Sequence, residues 1–288
     1  MGEVNLKIFR NIGLLAIVAF SFFYTEKIAN FVLESNDLYK TINEVKDEYS
    51  IESINAVIDG DYIIPGLNGL EVNIKDSYFN MKGLNVFNEY YLLYDATYPS
   101  ISINDYKDKI INKGNNKKHS IAFILEYDEN IINYFINNNI SASLLVDTNT
   151  FDKNITLEQL NNETKKFDDL ETLINRYHEN VNICYVNDNN YEICKENNKY
   201  LVKTDNIINN NTILTIKNNI ESGNIYYINK NTDIKNIQLI INSILYKDLD
   251  IVKLSELISE DIWVSVKKIV DKKKSENVDN FFWFLIEK

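Results

Sequence analysis

The side chains suited to proton or metal chemistry are few in this chain. Glu126, Asp128 and Glu129 form a carboxylate cluster directly after the apolar run Ser120–Leu125. Such a cluster can hold a cation or exchange a proton. It can equally complement the positive end of a helix beginning at Glu129. His119 and His178 are the only histidines; imidazole is the natural acid–base group near neutral pH, but one at a helix end also packs in ordinary ways. Asp168-Asp169 reads as a solvated helix face rather than a paired acid site. Cys184 and Cys194 are the only cysteines and have no further ligands at zinc-binding spacing. In an oxidising compartment they either pair or stay as buried thiols, and the Asn187–Asn190 turn between them would set them on neighbouring strands. Tyr226-Tyr227, and Tyr90-Tyr91 with Tyr94 and Tyr98, offer flat faces for sugar rings. Core packing is the competing use in a chain with 19 tyrosines.

These groups need a framework, and the pattern from Ser120 onward supplies one. Strands are predicted at Ser120–Leu125, Ser141–Val146, Val181–Val186, Tyr191–Ile193, Tyr200–Val202, Asn224–Ile228 and Asp250–Val252. Helices are predicted at Glu129–Asn138, with Ile131, Ile132, Phe135 and Ile136 inward, as one or two pieces over Leu157–Tyr177, and at Ile237–Tyr246 and Ser255–Ile258. That alternation implies a parallel sheet with crossover helices, open or closed into a barrel. Upstream, Leu38, Ile42, Val45 and Tyr49 give an amphipathic helix over 34–54. Val57–Asn73 holds three of the eight glycines and reads as short strands joined by turns. A helix near Asp76–Lys82 and extended segments at Tyr90–Tyr94 and Ser100–Ile103 complete a small mixed module.

At the N-terminus, Lys7 and Arg10 precede the apolar run Ile12–Tyr24, and a second run follows at Ile28–Leu33. This predicts an uncleaved signal-anchor with its N-terminus inside; a cleaved signal peptide or a buried helix are the alternatives. At the other end, Ile262, Trp263, Val266, Ile269 and Val270 form a stripe before the aromatic run Phe281–Ile286. It packs back on the domain, docks a protein partner or lies on a membrane surface. A net charge of −12 argues against a nucleic-acid binder, because phosphate contacts need clustered Lys/Arg and the central chain does not interleave basic with aromatic residues.

The order of elements, with several local strings, resembles the NodB-type polysaccharide deacetylase domain (carbohydrate esterase family 4-like), a distorted (β/α) barrel. Residues 131–146 look like the family's first helix and its "ATFFV" strand. Residues 177–183 look like a worn "GHEIGNH", residues 223–229 like "GDIILLH", and 249–258 like "GYEFVTLSELL". The resemblance covers about residues 118–260. It implies a divalent metal held by one Asp and two His, a second Asp as base and a late His as acid. Carried over, the base falls on Leu125, the metal carboxylate on Glu126, the metal imidazoles on Ile183 and Asn187, and the acid on Asn229. His178 matches the first histidine of its string, which is not a ligand. An alkyl chain and two amides neither bind a divalent metal strongly nor titrate near neutrality.

The sequence therefore predicts an α/β protein: a NodB-type (β/α) barrel preceded by a membrane helix and a small mixed α/β module. The expected organisation is a membrane segment over 1–33, stalk and module over 34–115, the deacetylase-like domain over 116–260 and a tail over 261–288. No residue stands out as catalytic; the candidates are Glu126, Asp128, His178 and Asn229, with Tyr226, Tyr227 and Asn187 for binding. No cofactor is expected; the enzyme alternative, an N-deacetylase of aminosugar polymers, would need a divalent metal such as zinc. The expected function is an inactive, single-pass membrane protein, its bulk extracytoplasmic, binding cell-envelope polysaccharide or peptidoglycan or acting as a scaffold. An envelope adaptor for an unknown protein partner is the remaining alternative.

Overall fold

Long-range backbone pairing divides the chain into two units, described separately. The computed structural model describes residues 2–163, 167–178, 182–187 and 189–261. In chain order the elements are α1 (Gly2–Ser35), α2 (Asp37–Tyr49), β1 (Val57–Asp59), β2 (Tyr62–Ile64), β3 (Gly69–Val72), α3 (Ile74–Met81), β4 (Tyr94–Thr97) and β5 (Ile110–Ile111). There follow β6 (Ser120–Leu125), α4 (Glu129–Asn137), β7 (Ser143–Val146), β8 (Glu158–Asn161), α5 (Phe167–Tyr177), β9 (Ile183–Tyr185), α6 (Tyr191–Glu196) and β10 (Tyr200–Val202). The remainder is β11 (Ile207–Ile208), α7 (Ile213–Asn218), β12 (Ile225–Ile228), α8 (Ile234–Tyr246), β13 (Asp250–Val252) and α9 (Leu254–Ile258).

The first unit comprises 2–52 and 70–97. Within α1, Ile12–Ser35 is long and apolar enough to cross a membrane, and none of that stretch is buried. Asn36 ends the run and caps α2, its Oδ1 accepting the N–H groups of Leu38 and Tyr39. Helix α2 then buries Leu38 and Ile42 with Val72, Met81 and Leu92.

The second unit, residues 53–69 and 98–261, carries two sheets. One runs β1-β2-β5-β10-β9 and is parallel except for the β1–β2 hairpin, whose turn holds Gly60 at φ +59°. The other runs β11-β12-β6-β7-β8, wholly parallel. β13 pairs with Ser120–Ala122 of β6, alongside the stretch where β7 pairs with Ile124 and Leu125. Every residue of β6 is buried, and its side chains alternate between two cores. Ile121, Phe123 and Leu125 face helices α4, α5, α7 and α8; Ala122 and Ile124 face Ile63, Ile111, Ile183 and Val202 of the smaller sheet. Two sheets thus enclose an inner apolar layer, with helices outside the larger one. Among the described residues the ladders do not join into one ring.

A seam between the sheets is made by two glycines. Gly114 N–H donates to the Gly223 carbonyl at 2.7 Å, and Gly223 sits at φ +87°. A Cβ on Gly223 would lie 2.4 Å from the Gly114 oxygen, so only glycine fits.

Several expectations need correction. Leu157–Tyr177 is not all helical: Glu158–Asn161 forms β8, because the free edge of β7 pairs with it and buries all four residues. Tyr191–Ile193 is helical rather than extended, since the Asn187–Asn190 turn starts α6. Cys184 on β9 and Cys194 on α6 form a disulfide between strand and helix, Cα atoms 6.0 Å apart, not between two strands. Tyr90-Tyr91 and Ile103 lie in 3-10 turns. The segment 34–115 is divided: β1, β2 and β5 belong with the second unit. The tail from Ile262 onward lies outside the described residues.

Candidate functional site

Because β6 and β12 pair with Leu125 opposite Ile228, the loops leaving their C-terminal ends lie side by side. Glu126 accepts the Lys230 backbone N–H at 3.0 Å, and its carboxylate is 3.3 Å from the Lys230 ammonium. Asp128 caps α4, its Oδ1 accepting the N–H groups of Asn130 and Ile131 at 2.9 and 3.2 Å. Its Oδ2 accepts the Asn231 N–H at 3.0 Å. The Asn231 bond chiefly holds this carboxyl below its usual range, aided by Ile131 and Asn130 and opposed by partial burial. Asn229 is the first residue of the loop that carries Lys230 and Asn231, its N–H donating to the Ile208 carbonyl. The structure therefore brings Glu126, Asp128 and Asn229 together, as a clasp between two loops.

Tyr227 belongs to this end as well. Its ring stacks on Tyr185 at 5.1 Å between centroids and 15° between planes. Burial pushes its phenol up, with the Glu126 charge and Tyr185 adding to the effect. Tyr226 does not belong here. Successive strand residues face opposite ways, so Tyr226 enters the outer core at 1% exposure, tilted against Phe123, its oxygen bonded by Asn224. It cannot serve as a sugar platform.

His178 lies elsewhere. Its Nε2 is 2.9 Å from Gln159 Nε2, and its ring meets Phe151 edge-on. Gln159 Nε2 also donates to the Asp152 carbonyl, so the facing imidazole nitrogen is the acceptor. Burial, then the nearby Lys253 charge, lowers the imidazole's pKa, which favours that neutral state. No hydrogen bond or ring contact joins His178 to Glu126 or Asn229 among the described residues. Asn187 is a turn residue: its N–H donates to Asn190 Oδ1 and its own Oδ1 accepts from Asn189. Ile183 is the first residue of β9, 4% exposed in the inner core, at the opposite end of the strand from Tyr185.

The metal implied by the sequence resemblance does not fit these residues. The carried-over donors are one carboxylate already paired with Lys230, one buried alkyl chain and one amide engaged in a turn. Among the described residues, no three His, Cys, Asp or Glu side chains converge as a metal site.

At the strands' other end lie groups that sequence reasoning missed. Glu260 is 7% exposed; Oε1 accepts the Gly66 and Ile103 N–H groups at 2.9 and 3.1 Å, and Oε2 the Ser102 hydroxyl. Lys118, 2% exposed, donates to the Glu256 carbonyl at 2.6 Å and to the Ser259 carbonyl. Ser143 donates to the buried Glu158 carboxylate and accepts the Leu254 N–H. A 460 Å³ cavity lies here, between the starts of β9 and β10, the 98–104 loop and the end of α9. No local pattern marks any of these residues; a lone buried charge leaves no periodicity.

No protein-family model matches this chain. It is 32% identical over 127 residues to the uncharacterized protein YlxY of Bacillus subtilis (strain 168), a match covering 42% of this chain and 40% of that relative. The chain thus spans under half the length of the relative it matches. The crystal structure of wild-type BA3943, a CE4 family pseudoenzyme from Bacillus anthracis, superposes with a TM-score of 0.54 at 16% identity, covering 79% of this chain and 96% of that one. A BA3943 mutant with restored enzymatic activity superposes with a TM-score of 0.53 over 77% of this chain and 98% of its own. At that identity the likeness is one of fold. The chain shares the fold of that CE4 family pseudoenzyme.

Proposed function

We propose that this chain is a noncatalytic deacetylase-fold protein, anchored in a membrane by α1, whose second unit binds envelope glycan outside the cytoplasm. One observation carries the noncatalytic reading: the carboxylate carried over to the metal position, Glu126, pairs with Lys230 and belongs to no group of three converging metal-binding side chains among the described residues. Deacetylation needs a Lewis acid that lowers the pKa of a bound water and polarises the amide carbonyl. An ammonium on a flexible stem supplies charge but no open coordination position. The other carried-over positions hold Leu125, Ile183, Asn187 and Asn229, none able to move a proton near neutrality. The exposed apolar length of α1 supports anchoring, and Lys7 and Arg10 before it support an N-terminus inside. The Cys184–Cys194 bond supports an oxidising compartment for the remainder.

The test uses the purified full chain in detergent, incubated with insoluble peptidoglycan with and without added zinc. The expected result is saturable cosedimentation with the glycan and no acetate above the protein-free blank. Zinc-dependent acetate release would overturn the noncatalytic reading; failure to sediment would overturn glycan binding.

A further inference from the structure

At the C-terminal ends of the strands Glu126 is engaged by Lys230, which leaves the question of where a glycan would sit. We infer that the glycan-binding surface is the 460 Å³ cavity at the opposite end of the second unit, and that it takes an uncharged sugar unit. The inference rests on the glycan-binding reading and gives it a place.

The cavity is built, not incidental. Its floor is Glu260, whose three hydrogen bonds tie together Gly66, Ser102 and Ile103 from distant loops. A Cβ at Gly66 would lie 2.4 Å from the Ile54 carbonyl oxygen and 3.1 Å from Glu260 Oε1, so the loop reaches its place only as glycine. The wall at Asn104 is held by the Tyr200 hydroxyl, which donates to Asn104 Oδ1. A volume of 460 Å³ falls within the roughly 300–1,000 Å³ of small-molecule sites.

The lining selects the ligand. Among the described residues it contains no lysine or arginine, while Glu260 and Asp261 are acidic, so a phosphate or carboxylate would meet like charge. The Asp261 carboxylate accepts from Ser259, which leaves it poorly placed as a cation ligand. An apolar ligand would strand the amides of Asn68, Asn104 and Asn182. The Asn104 Nδ2 and the Asn68 and Asn182 side chains make no hydrogen bond to other described residues, so their donors and acceptors are available to hydroxyl or N-acetyl groups. Tyr98 lines the same space at 72% exposure, a flat face for the C–H side of a pyranose ring. Amide donors and an exposed ring, with no cation among the described lining residues, are the complement of a neutral sugar.

The experiment measures cosedimentation of the full chain in detergent with insoluble peptidoglycan, for wild type and four variants. Tyr98→Ala and Asn182→Ala should each weaken binding about 3- to 10-fold, Tyr98→Trp should retain it, and Glu126→Gln at the far end should match wild type. Tyr98 is exposed, so its loss leaves the fold intact; circular dichroism checks each variant. Undiminished binding by both alanine variants, or a loss with Glu126→Gln, overturns the placement while glycan binding stands. A wild-type chain that does not sediment overturns both.

Discussion

Lys118 gives the most exacting test of the structure, because its burial makes stability depend on pH in an unusual sense. The ammonium is 2% exposed and rests on the carbonyls of Glu256 and Ser259 at the end of α9. Burial pushes it down from 10.5 to about 8, against the pull of Asp261, Glu256 and Glu260. Between about pH 8 and 10.5 the unfolded chain keeps a proton that the folded chain has shed. Stability therefore rises with pH across this window, by about 3 kcal/mol at roughly 1.4 kcal/mol per pH unit. A neutral amine still has two N–H donors for the two carbonyls, so the contacts survive the loss of charge. Burial also raises Tyr185, Tyr226 and Tyr227, and these oppose the effect, since the folded state holds their protons as pH rises. Comparison with Lys118→Met at each pH removes the tyrosines, which both proteins share. Urea unfolding in detergent should show wild type gaining about 3 kcal/mol over the variant from pH 8 to 10.5. A difference that stays flat across this range would refute the burial of Lys118.

Other substitutions probe other parts of the architecture. Gly223→Ala forces a Cβ to 2.4 Å from the Gly114 oxygen at φ +87° and should cost about 3 kcal/mol or more in urea unfolding. Asp128→Ala removes the α4 cap and the bond from Asn231 and should cost about 1 kcal/mol at neutral pH. The Asp128 carboxyl is depressed in the folded state, so its contribution is present above the unfolded pKa and lost as pH falls through the folded one; the two proteins should converge in acid. Cys184→Ser with Cys194→Ser opens a cross-link between residues 10 apart in sequence and should lower stability by about 2–3 kcal/mol. In the wild-type chain, unfolded without reductant, maleimide labelling should find no free thiol.

Of the candidate site, the sequence made legible what depends on residue type. With His119 and His178 as the only histidines, a three-imidazole set of ligands and acid was out of reach in any register. Elements with strong local signals were readable too. The run Ser120–Leu125 is apolar on both faces because β6 is covered on both, and Asp128 precedes a helix whose N–H groups it caps. Less was readable where partner and local preference compete. The segment Glu158–Asn161 is extended because β7 offers it a ladder, and the Asn-rich stretch around β11 and α7 carries no periodicity strong enough to show them.

Tertiary structure alone decided where the chemistry sits. Whether Glu126 holds a metal or a lysine depends on Lys230, 104 positions away and brought alongside by the pairing of β6 with β12. Alignment set Ile183 among metal ligands, but the start of β9 lies at the other end of the strand, on the wall of the cavity. That cavity's floor joins Gly66 to Glu260 across 194 residues. Sequence periodicity records which face of an element is buried; it holds no trace of which distant group a buried charge will meet, because that pairing is settled only when separate strands and loops are packed together.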